Sequence, residues 1–242
     1  IKAFDALTPG LHIARGRVAF VLGNPLAIKA GVRFVDQNLN RLFRPDVDLT
    51  DTQKESYEYR RSRELMPLLE AADAMLDIHS SGTKVSTPFV ICRKELVPMA
   101  ERFSFPLVSY GWGCIEPGGT EDWVERTGGA GFCIECGYHE EPAAIERAVD
   151  AVNQFLALYN VIDISERVQT KESRKIQATS IHKTSRNFVP VRTFKDFEPV
   201  VKGQVIGTDG GAEVAALTDG VVIFVRKRER SGEEAFIFGK ED

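Results

Sequence analysis

Short apolar runs and longer amphipathic stretches take turns along the first two thirds of this chain. That alternation predicts strands and helices in succession. Arg17 to Leu22 (RVAFVL), closed by Gly23, reads as a buried strand, and Asn24-Pro25 punctuates the chain after it. Good helix formers run from Asp51 to Ala72. Thr52 and Glu55 have capping-box spacing at the start, and Pro67 is expected to kink or divide the helix. Asp73 to His79 (DAMLDIH) reads as a strand ending at Ser80-Ser81-Gly82, with further strands at Pro88–Cys92, Pro106–Tyr110 and Gly131–Cys136. Helices are expected over Glu95–Phe103, near Glu121–Arg126 in an otherwise Gly-rich stretch, and over Glu140–Tyr159. In the last of these, Ile145, Val149, Val152, Phe155 and Leu156 recur at helical spacing.

The pattern changes after Ile164. Residues 165–180 are polar, and beyond them lie short apolar runs separated by Gly and Asp turns, which predicts a small all-β unit. The expected fold is therefore α/β, with a largely parallel sheet flanked by helices over 1–164, followed by a small β domain over 165–242.

Composition narrows the function classes. With 31 Lys and Arg against 35 Asp and Glu, the net charge is −4, which argues against binding a phosphate backbone. No apolar run approaches the roughly 18–20 residues of a membrane span. Four cysteines in 242 residues are too sparse for a disulfide scaffold, so a reducing cytoplasm is the expected compartment. Cys133 and Cys136 spell C-x-x-C, but on a strand residues three apart point to opposite faces, so these sulfurs share neither a metal nor a bridge. The chain opens Ile1-Lys2-Ala3-Phe4 with a helical pattern already running, so further sequence is expected upstream.

Three segments carry candidate chemistry. On a strand over 73–79, Asp77 and His79 share a face, with His79 at the carboxyl end where ligand sites of open α/β sheets gather. An imidazole backed by a carboxylate is the usual form of a metal-ligating histidine; a capping His held by Ser80 or Ser81 is the plainer alternative. Glu135 lies inside the apolar run FCIEC. A carboxyl in a partly dry pocket has a raised proton affinity suited to base and then acid work, while a buried salt bridge to an Arg is the structural alternative. Finally, Arg33-Phe34-Val35-Asp36-Gln37-Asn38-Leu39-Asn40-Arg41-Leu42-Phe43 sets two arginines among large apolar residues, and Arg offers planar donors matched to a carboxylate or an oxyanion.

Together RFVDQNLNRLF, DIHSSG and IECG resemble, in order and spacing, the R-x-x-D-x-D-L-N-R-x-F, D-x-H and E-x-G segments of the succinylglutamate desuccinylase and aspartoacylase family, relatives of the zinc carboxypeptidases. The resemblance implies a zinc-carboxypeptidase-like fold and a zinc-dependent amidohydrolase acting on a small N-acyl amino acid. It gives His79 as a zinc ligand, Glu135 as general base, Arg33 as the group polarising the scissile carbonyl, and Asn40 with Arg41 as the clamp on a substrate carboxylate. Alternatives of the same fold are a zinc carboxypeptidase acting on peptides and a non-catalytic carboxylate-binding protein.

This sequence departs from the family at two points. Asn38 stands where the family often has Asp, and the H-x-x-E segment that brings two zinc ligands is missing, since His12 has no Glu three residues on. Zinc is thus expected in the intact protein and absent or weakly held by this chain. No nucleic-acid or membrane partner is expected, and self-association into a homo-oligomer is compatible with the sequence.

Overall fold

The computed structural model describes residues 2–7, 11–163 and 172–242. Eight α-helices are described: α1 (Lys2–Leu7), α2 (Pro25–Ala30), α3 (Asp51–Glu55), α4 (Tyr57–Glu70), α5 (Val97–Ala100), α6 (Trp112–Ile115), α7 (Thr120–Arg126) and α8 (Pro142–Leu158). The strands are β1 (Ala74–Ser81), β2 (Phe89–Cys92), β3 (Leu107–Tyr110), β4 (Ala130–Tyr138), β5 (Arg174–Lys183), β6 (Phe188–Pro190), β7 (Glu198–Val200), β8 (Val205–Asp209), β9 (Ala212–Ala215), β10 (Gly220–Ile223) and β11 (Glu234–Glu241).

Eight of these strands form one mixed sheet in the order β1-β4-β2-β3-β5-β11-β10-β7, and β6-β8-β9 form a separate antiparallel sheet. In the core half, β1 pairs parallel with β4, β2 with β3 and β3 with β5, while β2 meets β4 antiparallel. The fold is thus the expected mixed sheet with a mostly parallel core, flanked by helices, plus a second all-β layer. The strands after residue 172 also continue the first sheet, since β5 pairs with both β3 and β11. The boundary expected at 164/165 lies outside the described residues.

The two faces of β4 explain its uninterrupted apolar run. Phe132, Ile134 and Cys136 pack into one core with Val90, Phe103, Val108 and the α8 residues Ala144, Ala148 and Ala151. Cys133 joins the opposite core with Phe89, Ile91, Trp112, Ile176 and Ile223. The two sulfurs therefore sit on opposite faces, as expected. Phe89, Phe132 and Ile134 are fully buried, each worth about 1.5–3 kcal/mol of transfer free energy. A third core, built on Phe188, Ile206, Val222 and Phe236, lies under the small sheet.

Local expectations shift in four places, and the first is the helix expected over Glu95–Phe103, which is a 3-10 turn at Lys94–Leu96 followed by the short α5. Arg17–Leu22 is not a strand: Phe20, Val21 and Leu22 are exposed, and among the described residues β1, the sheet's outer strand, pairs with β4 alone. The helix expected over 51–72 is two helices. Thr50, not Thr52, makes the capping box, with Gln53, and Ser56 then interrupts the helix and caps α4 through its side chain. Pro67 lies inside α4 without dividing it.

Candidate active site

Parallel pairing of β1 and β4 sets His79 directly across from Glu135. The two residues are 56 positions apart in sequence, and the register alone brings them side by side. Asp77, one pleat back on β1, places Oδ2 3.1 Å from Nε2 of His79. That oxygen also accepts from Oγ1 of Thr120 (2.6 Å), at the start of α7, and from Nδ2 of Asn40 (3.2 Å). Asn40 Nδ2 lies 3.2 Å from His79 Nε2 as well, so the 33–43 segment reaches the strand ends. Asp77 raises the His79 imidazole to about 9, against the opposing effect of burial, with Glu135 and Glu121 adding to it. Asp77 itself is held well below the ordinary carboxylate range: His79 and the hydrogen bonds to it outweigh its burial. With Nε2 facing Asp77, Nδ1 is the ring nitrogen left for any further partner.

Glu135 is buried, and its Oε2 has no hydrogen-bond partner among the described residues. Burial pushes its proton affinity up, while His79, Arg33 and Arg226 pull the other way. The structural alternative, a hydrogen-bonded ion pair with an arginine, is not found for Glu135 among the described residues. An unpartnered carboxyl with raised proton affinity beside an imidazole can take a proton from water and return it. Arg33 is exposed, and the structure places it within electrostatic range of Glu135 and Arg226.

The segment carrying Arg33, Asn40 and Arg41 is irregular, and one side chain holds it. Fully buried Glu58 of α4 accepts from the backbone N–H groups of Val35 (2.6 Å), Asp36 (3.1 Å) and Gln37 (3.0 Å), and from Nδ2 of Asn24 (2.9 Å). Three consecutive amides on one carboxylate fix a loop that no strand or long helix supports. Asn38 then caps the turn at Leu39–Arg41, its side chain accepting from the backbone N–H of Asn40.

Arg41 is not a free cation. Its Nη2 donates to Glu116 and to Glu234 Oε1 (3.1 Å), its Nε donates to Glu234 Oε1 (3.2 Å), and its Nη1 donates to the Asn40 carbonyl (2.7 Å). A cavity of about 400 Å³ beside Phe43 and Pro117 is lined by Arg44, Asp122, Glu125 and Arg126, and none of the five expected site residues lines it.

Several neighbours of the site carry no signal in the sequence. Glu121 lies close to Asp77 and His79 and is pushed to about 7, by burial first and then by Asp77 and Asp122. Arg226 donates from Nη2 to Ser81 Oγ (2.9 Å) at the end of β1. Thr120, Glu116, Glu234 and Glu58 escape a reading of the sequence for the same reason, since each reaches the site from a distant element. His182 of β5 pairs with Asp209 of β8 (3.2 Å) and stacks on Phe236 of β11, joining the large sheet to the small one.

The zinc implied by the resemblance can be tested against this donor set. A catalytic zinc takes three protein ligands. Among the described residues there is no group of three His, Cys, Asp or Glu side chains that could hold a metal ion. The residues present do not fit a zinc centre by themselves.

The fold gathers His79, Asp77, Glu135 and Glu121 at the strand ends of a mixed α/β sheet, and likeness to known proteins gives the class. Residues 4–159 match the succinylglutamate desuccinylase/aspartoacylase catalytic domain, and the chain belongs to that family. An N-acyl-aromatic-L-amino acid amidohydrolase (carboxylate-forming) of Xenopus tropicalis is 26% identical over 113 residues, 44% of this chain and 34% of that protein. A probable aspartoacylase of Nostoc is 24% identical over 185 residues, 73% of this chain and 61% of that protein. The chain thus spans from one third to three fifths of these curated relatives. The solved succinylglutamate desuccinylase/aspartoacylase of Rhodobacter sphaeroides superposes with a TM-score of 0.68 at 18% identity, over 91% of this chain and 73% of that one, which establishes likeness of fold. No helix among the described residues is long and apolar enough to cross a membrane.

Proposed function

We propose that this chain carries the acid–base and substrate-binding side of an amidohydrolase that removes the acyl group from a small N-acyl amino acid. The observation that carries the reading is Glu135, buried and unpartnered, in register with His79. Glu135 serves as general base toward water and then as acid toward the leaving amine, because burial favours its protonated form once it has accepted a proton. Arg33 donates to the scissile carbonyl oxygen, where negative charge develops. Asn40 and Arg41 receive the substrate carboxylate. His79 would be one ligand, through the nitrogen not facing Asp77, of a zinc ion whose other ligands the described residues do not supply; a zinc completed there would add Lewis-acid polarisation.

The division of labour follows the two parts of the chain. Residues 1–164 hold these five groups, and 165–242 supply Glu234 and Arg226 at their margin. All four cysteines are free, which suits a cytoplasmic setting. One observation favours a second reading, a non-catalytic carboxylate-binding protein: Arg41 already holds the carboxylates of Glu116 and Glu234, so its guanidinium suits a carboxylate without a metal.

A single assay separates the two. The intact protein, with any sequence flanking this chain and supplemented with zinc, is offered N-acetyl and N-succinyl amino acids and small peptides, and release of the amine is measured. Hydrolysis of the acyl amino acids, lowered about 10²–10⁴-fold in Glu135→Gln, supports the deacylase. Preference for peptides makes it a carboxypeptidase, and binding without turnover makes it a binding protein.

A further inference from the structure

Arg41 joins parts of the chain that are far apart in sequence. Glu116 approaches it from the loop after α6, and Glu234 from the first residue of β11. Each of the three guanidinium nitrogens already has a partner. The approach of the 116–118 loop is built in. Gly118 adopts φ +102°, a Cβ there would sit 2.7 Å from the Arg41 carbonyl carbon, and its own carbonyl accepts from the Phe43 N–H (3.2 Å). Only glycine lets the loop lie this close, so Glu116 is held against Arg41 by backbone packing as well as by its hydrogen bond to the guanidinium.

We propose that Glu116 determines which ligands the Arg41 seat accepts: it is an internal occupant that an ionised substrate carboxylate displaces and an uncharged substrate end does not. This rests on reading Arg41 as the seat of the substrate carboxylate. The charged groups facing Glu116 are Arg41 and Glu234, with Lys183 of β5 next to Glu234. Burial, reinforced by Glu234, pushes Glu116 up to about 8, while Glu234 stays below the ordinary range. Near neutrality the pair therefore shares one proton, and one negative charge balances Arg41. Glu116 accepts one hydrogen bond from the guanidinium and Glu234 accepts three, so Glu116 is the more weakly held of the two. A substrate carboxylate that takes its place exchanges a neutral acceptor for a charge-assisted one. A carboxamide end offers nothing stronger than the acid it would displace. When Glu116 ionises, the internal occupant becomes as strong a partner as the substrate, and the seat closes to it.

The test is equilibrium binding by calorimetry of an unhydrolysable ketomethylene analogue of N-acetyl-L-phenylalanine, with CH₂ in place of the amide nitrogen, and of its primary carboxamide. Affinity is measured for the wild type, Glu116→Gln and Arg41→Ala. The wild type is expected to prefer the acid over the carboxamide, and to lose about tenfold in affinity for the acid between about pH 6.5 and about pH 9 as Glu116 ionises. Glu116→Gln, neutral at every pH, is expected to keep its affinity across that range. Equal wild-type affinity at both pH values, or an equal fall in Glu116→Gln, overturns the proposal while the seat stands. If Glu116→Gln does not fold, the wild-type pH comparison and the acid-against-carboxamide ratio still decide. Binding by Arg41→Ala as tight as by the wild type overturns the seat itself, and absence of binding to every form overturns both.

Discussion

Asp77 Oδ2 lies 3.1 Å from His79 Nε2, two residues further along the same strand face. The same oxygen accepts from Thr120 and Asn40, so one carboxylate ties β1 to α7 and to the 33–43 segment. Removing it leaves an imidazole, a hydroxyl and an amide without their shared acceptor. Asp77→Leu is expected to cost about 2–4 kcal/mol, since three donors lose their shared acceptor while the half-buried pair keeps some contact with solvent. Thr120→Val, which loses one hydrogen bond to the same oxygen, is expected to cost about 1–3 kcal/mol. Urea unfolding monitored by far-UV circular dichroism gives both values. Comparable effects of the two substitutions would show that Asp77 does not organise the group.

Glu135 makes the opposite prediction. Its buried Oε2 has no partner among the described residues, so the carboxyl costs stability where it stands. Glu135→Gln is expected to be as stable as the wild type or about 0.5–2 kcal/mol more stable, the range of ordinary stabilising substitutions, while losing turnover. A residue kept for packing would show the reverse, a loss of stability with activity retained. Thermal denaturation and the hydrolysis assay on the same preparation separate the two.

The parts of this arrangement legible in the sequence are those fixed by local periodicity. β1 and β4 announce themselves as apolar runs, and the alternation along β1 correctly puts Asp77 and His79 on one face. The order of strands that sets His79 across from Glu135 is tertiary and left no local mark. Arg17–Leu22 has the composition of a strand but is exposed, because strand propensity becomes a strand only when a neighbour supplies the ladder. The cap of the 51–70 region lies two residues from its expected place because Thr50-x-x-Gln53 and Thr52-x-x-Glu55 satisfy the same pattern, and the sequence holds nothing that ranks them. The sequence marks Arg41 only as a guanidinium suited to a carboxylate. Its actual carboxylates are 75 and 193 residues away, and no spacing rule connects them.

Glu58 predicts an acid limb in the stability of the site. Hydrogen bonds from Val35, Asn24, Gln37 and Asp36 outweigh its burial and hold its carboxyl below the ordinary value. A carboxyl lowered in the folded state contributes stability that is complete above its unfolded value, about 4.3, and is lost as pH falls through the lower folded value. Glu58→Gln is therefore expected to cost about 1–3 kcal/mol near neutrality, and the gap to the wild type is expected to close in acid. Urea unfolding at a series of pH values checks it, and a gap constant with pH would contradict the account.

Gly131 tests how closely α7 must lie on β4 for the site to form. A Cβ at this position would fall 2.7 Å from the Glu121 Cα and 2.8 Å from its Cβ and carbonyl oxygen. These are contacts with the root of the residue and its backbone, which cannot swing aside, so Gly131→Ala must push the start of α7 off the strand. Thr120 and Glu121 sit at that start: Thr120 holds Asp77 by a 2.6 Å hydrogen bond, and Glu121 lies in the electrostatic field of Asp77 and His79. The displacement is expected to cost about 1–3 kcal/mol, as for overpacking elsewhere. It also acts in a particular place. Backbone amides of β1 and α7 should exchange faster, while those of β8 and β9 in the separate sheet keep their protection. Hydrogen exchange followed by mass spectrometry resolves the two regions, and uniform loss of protection in both would mean that the contact supports the whole fold rather than the site.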